Sequence, residues 1–153
     1  MMELKVLTGS DTEMLTIKFT EVFTTEPWFD DWSDTDQLKA YIADLTMQSN
    51  SLTLGYMDGD ELTAAAMGRI KHWYTGTEYC VDEFFVTKKY QNRGVGSAFL
   101  KEIRKYLSCN GITHIFLQTD RTVPAYWFYI KNGFEEMEDI VSFAIETESR
   151  NEK

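Results

Sequence analysis

Apolar residues recur along the chain in two rhythms, one near the 3.6-residue period of a helix and one at the two-residue period of a strand. Leu4 to Leu7 reads as a short first strand. Ser10-Asp11-Thr12-Glu13 then offers a capping residue with a carboxylate three positions on, and a helix is expected from there to about Thr24. Its apolar positions Met14, Leu15, Ile17, Phe19, Val22 and Phe23 partly follow the helical period. Glu26-Pro27-Trp28-Phe29-Asp30-Asp31-Trp32 interrupts it, and Ser33-Asp34 caps a second helix whose Leu38, Tyr41, Ile42 and Leu45 share one face.

The pattern then switches to strands. Leu52 to Met57 and Leu62 to Trp73 form a hairpin through Asp58-Gly59, and Tyr79 to Val86 is a third strand of the same set. A helix from about Gly94 to Ser108 would bury Val95, Ala98, Phe99, Ile103 and Leu107 and stop near Asn110-Gly111. Thr113 to Thr119 reads as another strand, Val123 to Asn132 as a short helix ending at Gly133, and Ile140 to Glu146 as a last strand. An antiparallel meander followed by a β-loop-α-β unit predicts an α/β fold, a mixed sheet with helices on both faces.

At 153 residues and 43% hydrophobic, the chain fits one domain over 1–153 with a core that needs no disulfide or metal staple. Cys80 and Cys109 stand in no metal-ligand spacing, which points to no metal site and to a reducing cytosol. The opening Met1-Met2-Glu3-Leu4-Lys5 lacks a signal-peptide profile, and no apolar run approaches the ~18 residues of a membrane span. A soluble cytoplasmic protein is expected. The net charge of -10 opposes a phosphate backbone, so nucleic-acid binding is disfavoured. Its distribution is uneven. Acidic residues crowd the chain from Asp11 to Glu61, whereas Lys88, Lys89, Arg93, Lys101, Arg104 and Lys105 gather around one loop and its helix. An anion would dock at the second region and a cation at the first; a solvated acidic surface is the plainer reading.

The richest stretch is Val81 to Ser97, a strand leading through Gln91-Asn92-Arg93-Gly94-Val95-Gly96 into a helix. Free amides and the helix dipole make such a start an anion site, and two glycines would let a phosphate approach the main chain. Phe99 stands where a dinucleotide fingerprint has its third glycine, and no Gly-Lys-Ser/Thr follows, which excludes a P-loop.

Gln91-Asn92-Arg93-Gly94-Val95-Gly96 resembles the pyrophosphate-binding motif of the GNAT superfamily of N-acetyltransferases, Arg/Gln-x-x-Gly-x-Gly/Ala. Ala125-Tyr126-Trp127-Phe128-Tyr129-Ile130-Lys131-Asn132-Gly133-Phe134 resembles that superfamily's later Ala-x-x-Leu/Phe-Tyr-x-x-x-Gly-Phe element. Thr122 departs from the Asn that many members carry three residues before the Ala. The resemblance implies a GNAT-like fold and acetyl-CoA as co-substrate. Its pyrophosphate would be held by Gln91, Asn92 and the amides of Arg93, Gly94, Val95, Gly96 and Ser97, and its pantetheine arm would run along Phe84, Phe85 and Val86, with Thr119 on the facing strand. An amide near Phe85 or Val86 would face the acetyl oxygen.

An amine with a pKa of ~10.4 is unprotonated in roughly one molecule in a few thousand at neutral pH, so a base is needed. Glu83 occupies the acidic position that many members place in this strand, and alternation puts it with Val81 and Phe85, away from Asp82. A strand bulge would break that count and bring Asp82 into play. Tyr129 sits where family members keep a general-acid tyrosine, with Tyr126 as the fallback. By the same resemblance, Glu26, Trp28, Asp30, Asp31 and Trp32 border the pocket of a cationic amine, as in an aminoglycoside or polyamine; the indoles serve equally as plugs between helices. A protein or peptide amine acceptor, and a non-catalytic acetyl-CoA sensor, are the competing readings. A homodimer is compatible with all of them.

Overall fold

The computed structural model describes residues 1–148, which contacts divide into two compact units, Met1–Thr119 and the stretch from Asp120 on. The first unit is built on a five-stranded sheet in the order β1 (Met2–Val6), β2 (Ser51–Asp58), β3 (Glu61–Trp73), β4 (Gly76–Val86) and β5 (His114–Leu117). The first four strands pair antiparallel and β5 joins β4 in parallel. That parallel step requires a crossover, supplied by helix α3 (Val95–Cys109).

Helices α1 (Thr12–Phe23) and α2 (Thr35–Thr46) cover one face of the sheet, where Leu15, Phe19, Phe23, Leu38 and Ile42 pack on Leu62, Ala65, Met67 and Phe85. On the other face α3 lays Val95, Phe99, Ile103 and Leu107 against Leu54, Tyr56, Ala64, Ala66 and Tyr79. The spacing of those four α3 residues is one per turn, the stripe an amphipathic helix buries, and each contributes about 1.5–3 kcal/mol when fully removed from water. Ala64, Ala65 and Ala66 are fully buried, so the sheet is thin where helices press on it from both sides. Two apolar residues depart from the predicted faces. Ile17 and Ala98 are exposed, because the period that sets the buried stripes leaves both off the sheet side.

The entry to α1 also differs from the predicted cap. The capping box lies two residues earlier, from Thr8 to Asp11 on a 3-10 turn at Gly9–Asp11, where the Asp11 carboxylate accepts the Thr8 N–H at 2.8 Å and the Lys5 ammonium at 3.0 Å. These bonds hold the Asp11 carboxyl below its ordinary range. Asp34 caps α2 as expected, accepting from the amides of Asp36 and Gln37 at 3.1 Å each. At the end of α3, Ile112 N–H bonds the Leu107 carbonyl at 2.9 Å and Gly111 N–H that of Ser108 at 3.2 Å, the Schellman arrangement, with Gly111 at φ 74°.

The second unit contains helix α4 (Pro124–Lys131), started by proline and closed by a second such cap at Gly133, φ 92°. Residues 140–146 form no strand, contrary to the sequence expectation, and Val141, Phe143 and Ile145 are exposed. Their alternation fixes which side would be apolar, but a strand also needs an edge to bond with, and that is not a property of the segment itself. Among the described residues no helix is long and apolar enough to cross a membrane, and no cluster of side chains is arranged to hold a metal.

Candidate active site

Strand β4 carries a bulge. Met67 of β3 pairs with Glu83 and the next residue, Gly68, pairs with Val81, so Asp82 is the extra residue. Alternation therefore breaks at Asp82. Val81 faces α3, and Glu83 and Phe85 face α1 and α2, which corrects the expectation that Val81 and Glu83 share a side. The bulge does not bring Asp82 toward Glu83's side: Asp82 is exposed and bound to Arg69 of β3 at 2.8 Å. Gly68 is the residue this geometry demands, because a Cβ there would lie 2.4 Å from the Cys80 carbonyl oxygen.

Turned under the helices, the Glu83 carboxylate meets α2. The Tyr41 hydroxyl donates to Glu83 Oε2 at 2.5 Å. Burial pushes the Glu83 carboxyl up, the Tyr41 bond pulls it partly back, and the negative charges of Asp30 and Asp82 add to the upward side. The same burial, with Glu83 beside it, moves the Tyr41 phenol far above its ordinary value, so the hydroxyl keeps its proton wherever Glu83 titrates.

Around this pair stands an aromatic wall. Trp32 stacks on Tyr41 at 5.1 Å and 17°, Phe19 meets Trp32 edge-on at 5.6 Å, and Trp28 leans on Phe23 at 5.6 Å. Both indoles thus pack on the helix-side core while remaining partly exposed, and the Trp32 Nε1–H is buried with no partner among the described residues. Glu26, Asp30 and Asp31 are exposed on the same loop. Asp31 accepts the Ser33 amide at 3.0 Å, and its carboxyl is held low by Ser33. Asp30 is the loop carboxylate whose field reaches both Glu83 and Tyr41.

Beyond the bulge, β4 and β5 part company. Their pairing covers Glu78–His114 to Val81–Leu117, while β4 continues through Glu83, Phe84 and Phe85 to Val86. Thr119 lies past the end of β5, which is two residues shorter at this end than predicted. The end of β4 is pinned, since Thr87 donates to the Thr63 carbonyl through both its amide (2.9 Å) and its hydroxyl (3.1 Å).

The loop to α3 is then shaped by Asn92 and Gly94 in the left-handed region, φ 61° and 78°. Gly94 is the N-cap, so no side chain covers the first-turn amides of Val95, Gly96 and Ser97. A Cβ on Gly94 would meet nothing within 4 Å, and that open space beside uncapped amides fits an anionic group such as a diphosphate. The Gln91 side chain donates to the Val86 carbonyl at 2.9 Å and Arg93 to the Lys89 carbonyl at 3.2 Å, so both side chains brace the loop in this structure. Tyr90 anchors it from below, with Lys89 and Arg93 over its ring and its hydroxyl on Glu61 at 2.9 Å.

In the second unit, the Tyr129 ring packs on Phe128 and Phe134, at 5.2 and 5.3 Å, and is partly exposed. The Tyr126 hydroxyl donates to Glu136 at 2.7 Å, beside Arg121, which gives it a structural use. Thr122 donates its amide and hydroxyl to Asp120 at 2.8 and 2.6 Å.

Sequence reasoning missed Tyr41, Gly68 and Tyr90. Tyr41 was legible only as one apolar position of α2; a hydroxyl on an otherwise aliphatic stripe was the available signal.

A sheet that passes from a meander, through an uncapped glycine-started helix, to a parallel strand that ends while its neighbour runs on is the architecture of an acyltransferase. A family model described as the acetyltransferase (GNAT) family matches residues 15–134, and the chain belongs to that family. No curated protein matches it. Among solved structures it is similar to a protein of Clostridium difficile 630 described as a possible acetyltransferase, at 17% identity and TM-score 0.80 over 97% of this chain and 99% of that one. It is also similar to an aminoglycoside acetyltransferase from an uncultured soil metagenomic sample, in complex with sisomicin, at 16% identity and TM-score 0.72 over 96% and 97%. A third is AAC(6')-Iy with the bisubstrate analogue CoA-S-monomethyl-acetylneamine, at 16% identity and TM-score 0.72 over 95% and 99%.

Proposed function

We propose that the chain is a cytoplasmic, acetyl-CoA-dependent N-acetyltransferase, one catalytic domain over residues 1–153, acting on a primary amine of a small cationic molecule such as an aminoglycoside or polyamine. The observation that carries this reading is a partly buried carboxylate, Glu83, bonded to Tyr41, on the same strand that leads into the uncapped start of α3. Acetyl-CoA would supply the activated acyl group as a thioester. The amides of Arg93 to Ser97 bind its diphosphate, and residues 84–86 orient its arm. Glu83, its carboxyl raised by burial, takes the proton of the amine directly or through water. The Tyr129 hydroxyl gives a proton to the departing sulfur. Glu26, Trp28, Asp30, Asp31 and Trp32 draw in the cation by charge and by their aromatic faces.

The acceptor class is supported by that acidic, aromatic loop and by structures of the same fold that carry sisomicin or an acetylneamine-linked analogue. Calorimetry with acetyl-CoA, followed by free-thiol release with sisomicin, spermine and a lysine peptide, tests it. Binding, with release on the small amines, is the expected result. Release on the peptide alone reassigns the acceptor, and tight binding without release on any amine makes the chain a sensor. Absence of acetyl-CoA binding ends the proposal.

A further inference from the structure

Glu83 has two carboxylate oxygens and one of them is already taken. The Tyr41 hydroxyl reaches Oε2 at 2.5 Å from helix α2, across the interval between helix and strand. The ring that carries it is fixed on its face by Trp32, stacked at 17°, and flanked by Phe19 at 6.0 Å. A phenol held this way has little freedom to turn from the carboxylate, and Glu83 has little freedom to turn from the phenol.

We propose that Tyr41 is the positioning residue for Glu83: its hydroxyl occupies Oε2, fixes the plane of the carboxylate, and leaves Oε1 as the oxygen that receives the acceptor's proton. This rests on the reading of Glu83 as the base. The role is distinct from proton donation, because the Tyr41 proton stays on its oxygen throughout. Trp32 then acts through Tyr41, as the plate that holds the ring.

A donor to a carboxylate stabilises its charged form, so Tyr41 offsets part of the burial that favours the neutral acid. The other groups bearing on Glu83 all oppose it: Asp30 from the loop between α1 and α2, and the neighbouring Asp82, whose charge is shared with Arg69 of β3. Helix α1 packs the rings of Phe19 and Phe23 on Phe85 at this face, with Leu15 and Val22 in the same apolar cluster. Among the described residues Tyr41 is the group that favours the ionised form of Glu83, and removing its hydroxyl must raise the pH at which the base becomes available.

Tyr41→Phe keeps the ring and its stack and deletes the bond. The midpoint of Glu83 is read directly from the side-chain carboxyl resonance of 13C-glutamate-labelled protein, assigned by its disappearance in Glu83→Gln. The acid limb of kcat/KM is read from thiol release with acetyl-CoA and sisomicin or spermine. The expected result is an upward move of midpoint and limb together by about one pH unit. Below the limb this is about a tenfold loss carried by kcat, with KM within about twofold and activity recovering at high pH. Glu83→Gln should abolish the limb, and adding Tyr41→Phe to it should change nothing further. An unmoved Glu83 midpoint in Tyr41→Phe, with Glu83→Gln inactive, overturns the positioning role and leaves the base intact. A Glu83→Gln enzyme with the wild-type profile removes the base and the positioning role together.

Discussion

The ionised Glu83 carboxylate, partly buried under two helices, destabilises the fold that carries it. Its folded pKa lies above the unfolded value, so between the two the folded state binds more protons than the unfolded chain. Stability from this group accordingly falls as pH rises through that window and stays lower at neutral pH. Glu83→Gln, which still accepts from Tyr41, should raise Tm by about 2–4 °C at pH 7, and the gain should vanish near pH 4. Asp11 has the opposite sign. Its folded pKa is depressed by Thr8 and Lys5, so its contribution is present above the unfolded value and lost as pH falls through the folded one. A calorimetric Tm profile of Glu83→Gln parallel to wild type across pH 4–7 would contradict the buried-charge account. Gly68 makes a separate residue-scale prediction. Gly68→Ala must push its Cβ away from the Cys80 carbonyl, opening the bulge that turns Glu83 under the helices. A loss of about 1–3 kcal/mol in urea unfolding is expected.

At the scale of elements, the loop into α3 separates stability from binding. Gly94→Ala meets no neighbour, so its cost is the left-handed φ alone, about 1–2 kcal/mol. The new methyl stands in the space beside the uncapped amides, so acetyl-CoA affinity by calorimetry should fall further, by about tenfold or more. Equal affinity for mutant and wild type would place the diphosphate elsewhere. The elements themselves were largely legible. The α3 stripe, the Asp58-Gly59 hairpin and the strand-loop-helix motif are local patterns, and local patterns survive folding. What escaped was relational. The bulge at Asp82 depends on how β3 and β4 register, so alternation misassigned Val81 and could not say that Glu83 would meet Tyr41. The exposed apolar residues of 140–146 make the same point, because sidedness was readable there and pairing was not. The glycine loop was readable as an anion site from its own residues, and the resemblance to a family gave it a diphosphate and singled out Glu83. Tyr41 belongs to no motif, and only the packing of α2 on β4 revealed it.

Across the whole molecule, charge is sorted by destination. The net charge of -10 attracts any cation from a distance, and Glu26, Asp30 and Asp31 concentrate that field on an exposed loop whose Asp30 bears on Glu83. Around α3 the sign reverses locally, with Lys88, Arg93, Lys101, Arg104 and Lys105 exposed, although Lys89 is partly neutralised by Glu61 at 3.2 Å. The two substrates of the proposed reaction, a cation and a multiply charged anion, are thus steered to different sides of one strand. Salt screens both, but unequally. A polycationic acceptor feels the summed field of charges that mostly lie farther from it than the ~10 Å Debye length of 0.1 M salt, the range over which screening acts most. In the proposed reaction the diphosphate would be held at short range by amides whose bonds salt does not screen in this way. Raising ionic strength from about 0.02 M to about 0.3 M should therefore raise KM for spermine severalfold while changing KM for acetyl-CoA by about twofold or less. An acceptor KM flat across that range, measured by thiol release at saturating acetyl-CoA, would make the acidic surface a matter of solubility and remove electrostatic recruitment from the mechanism.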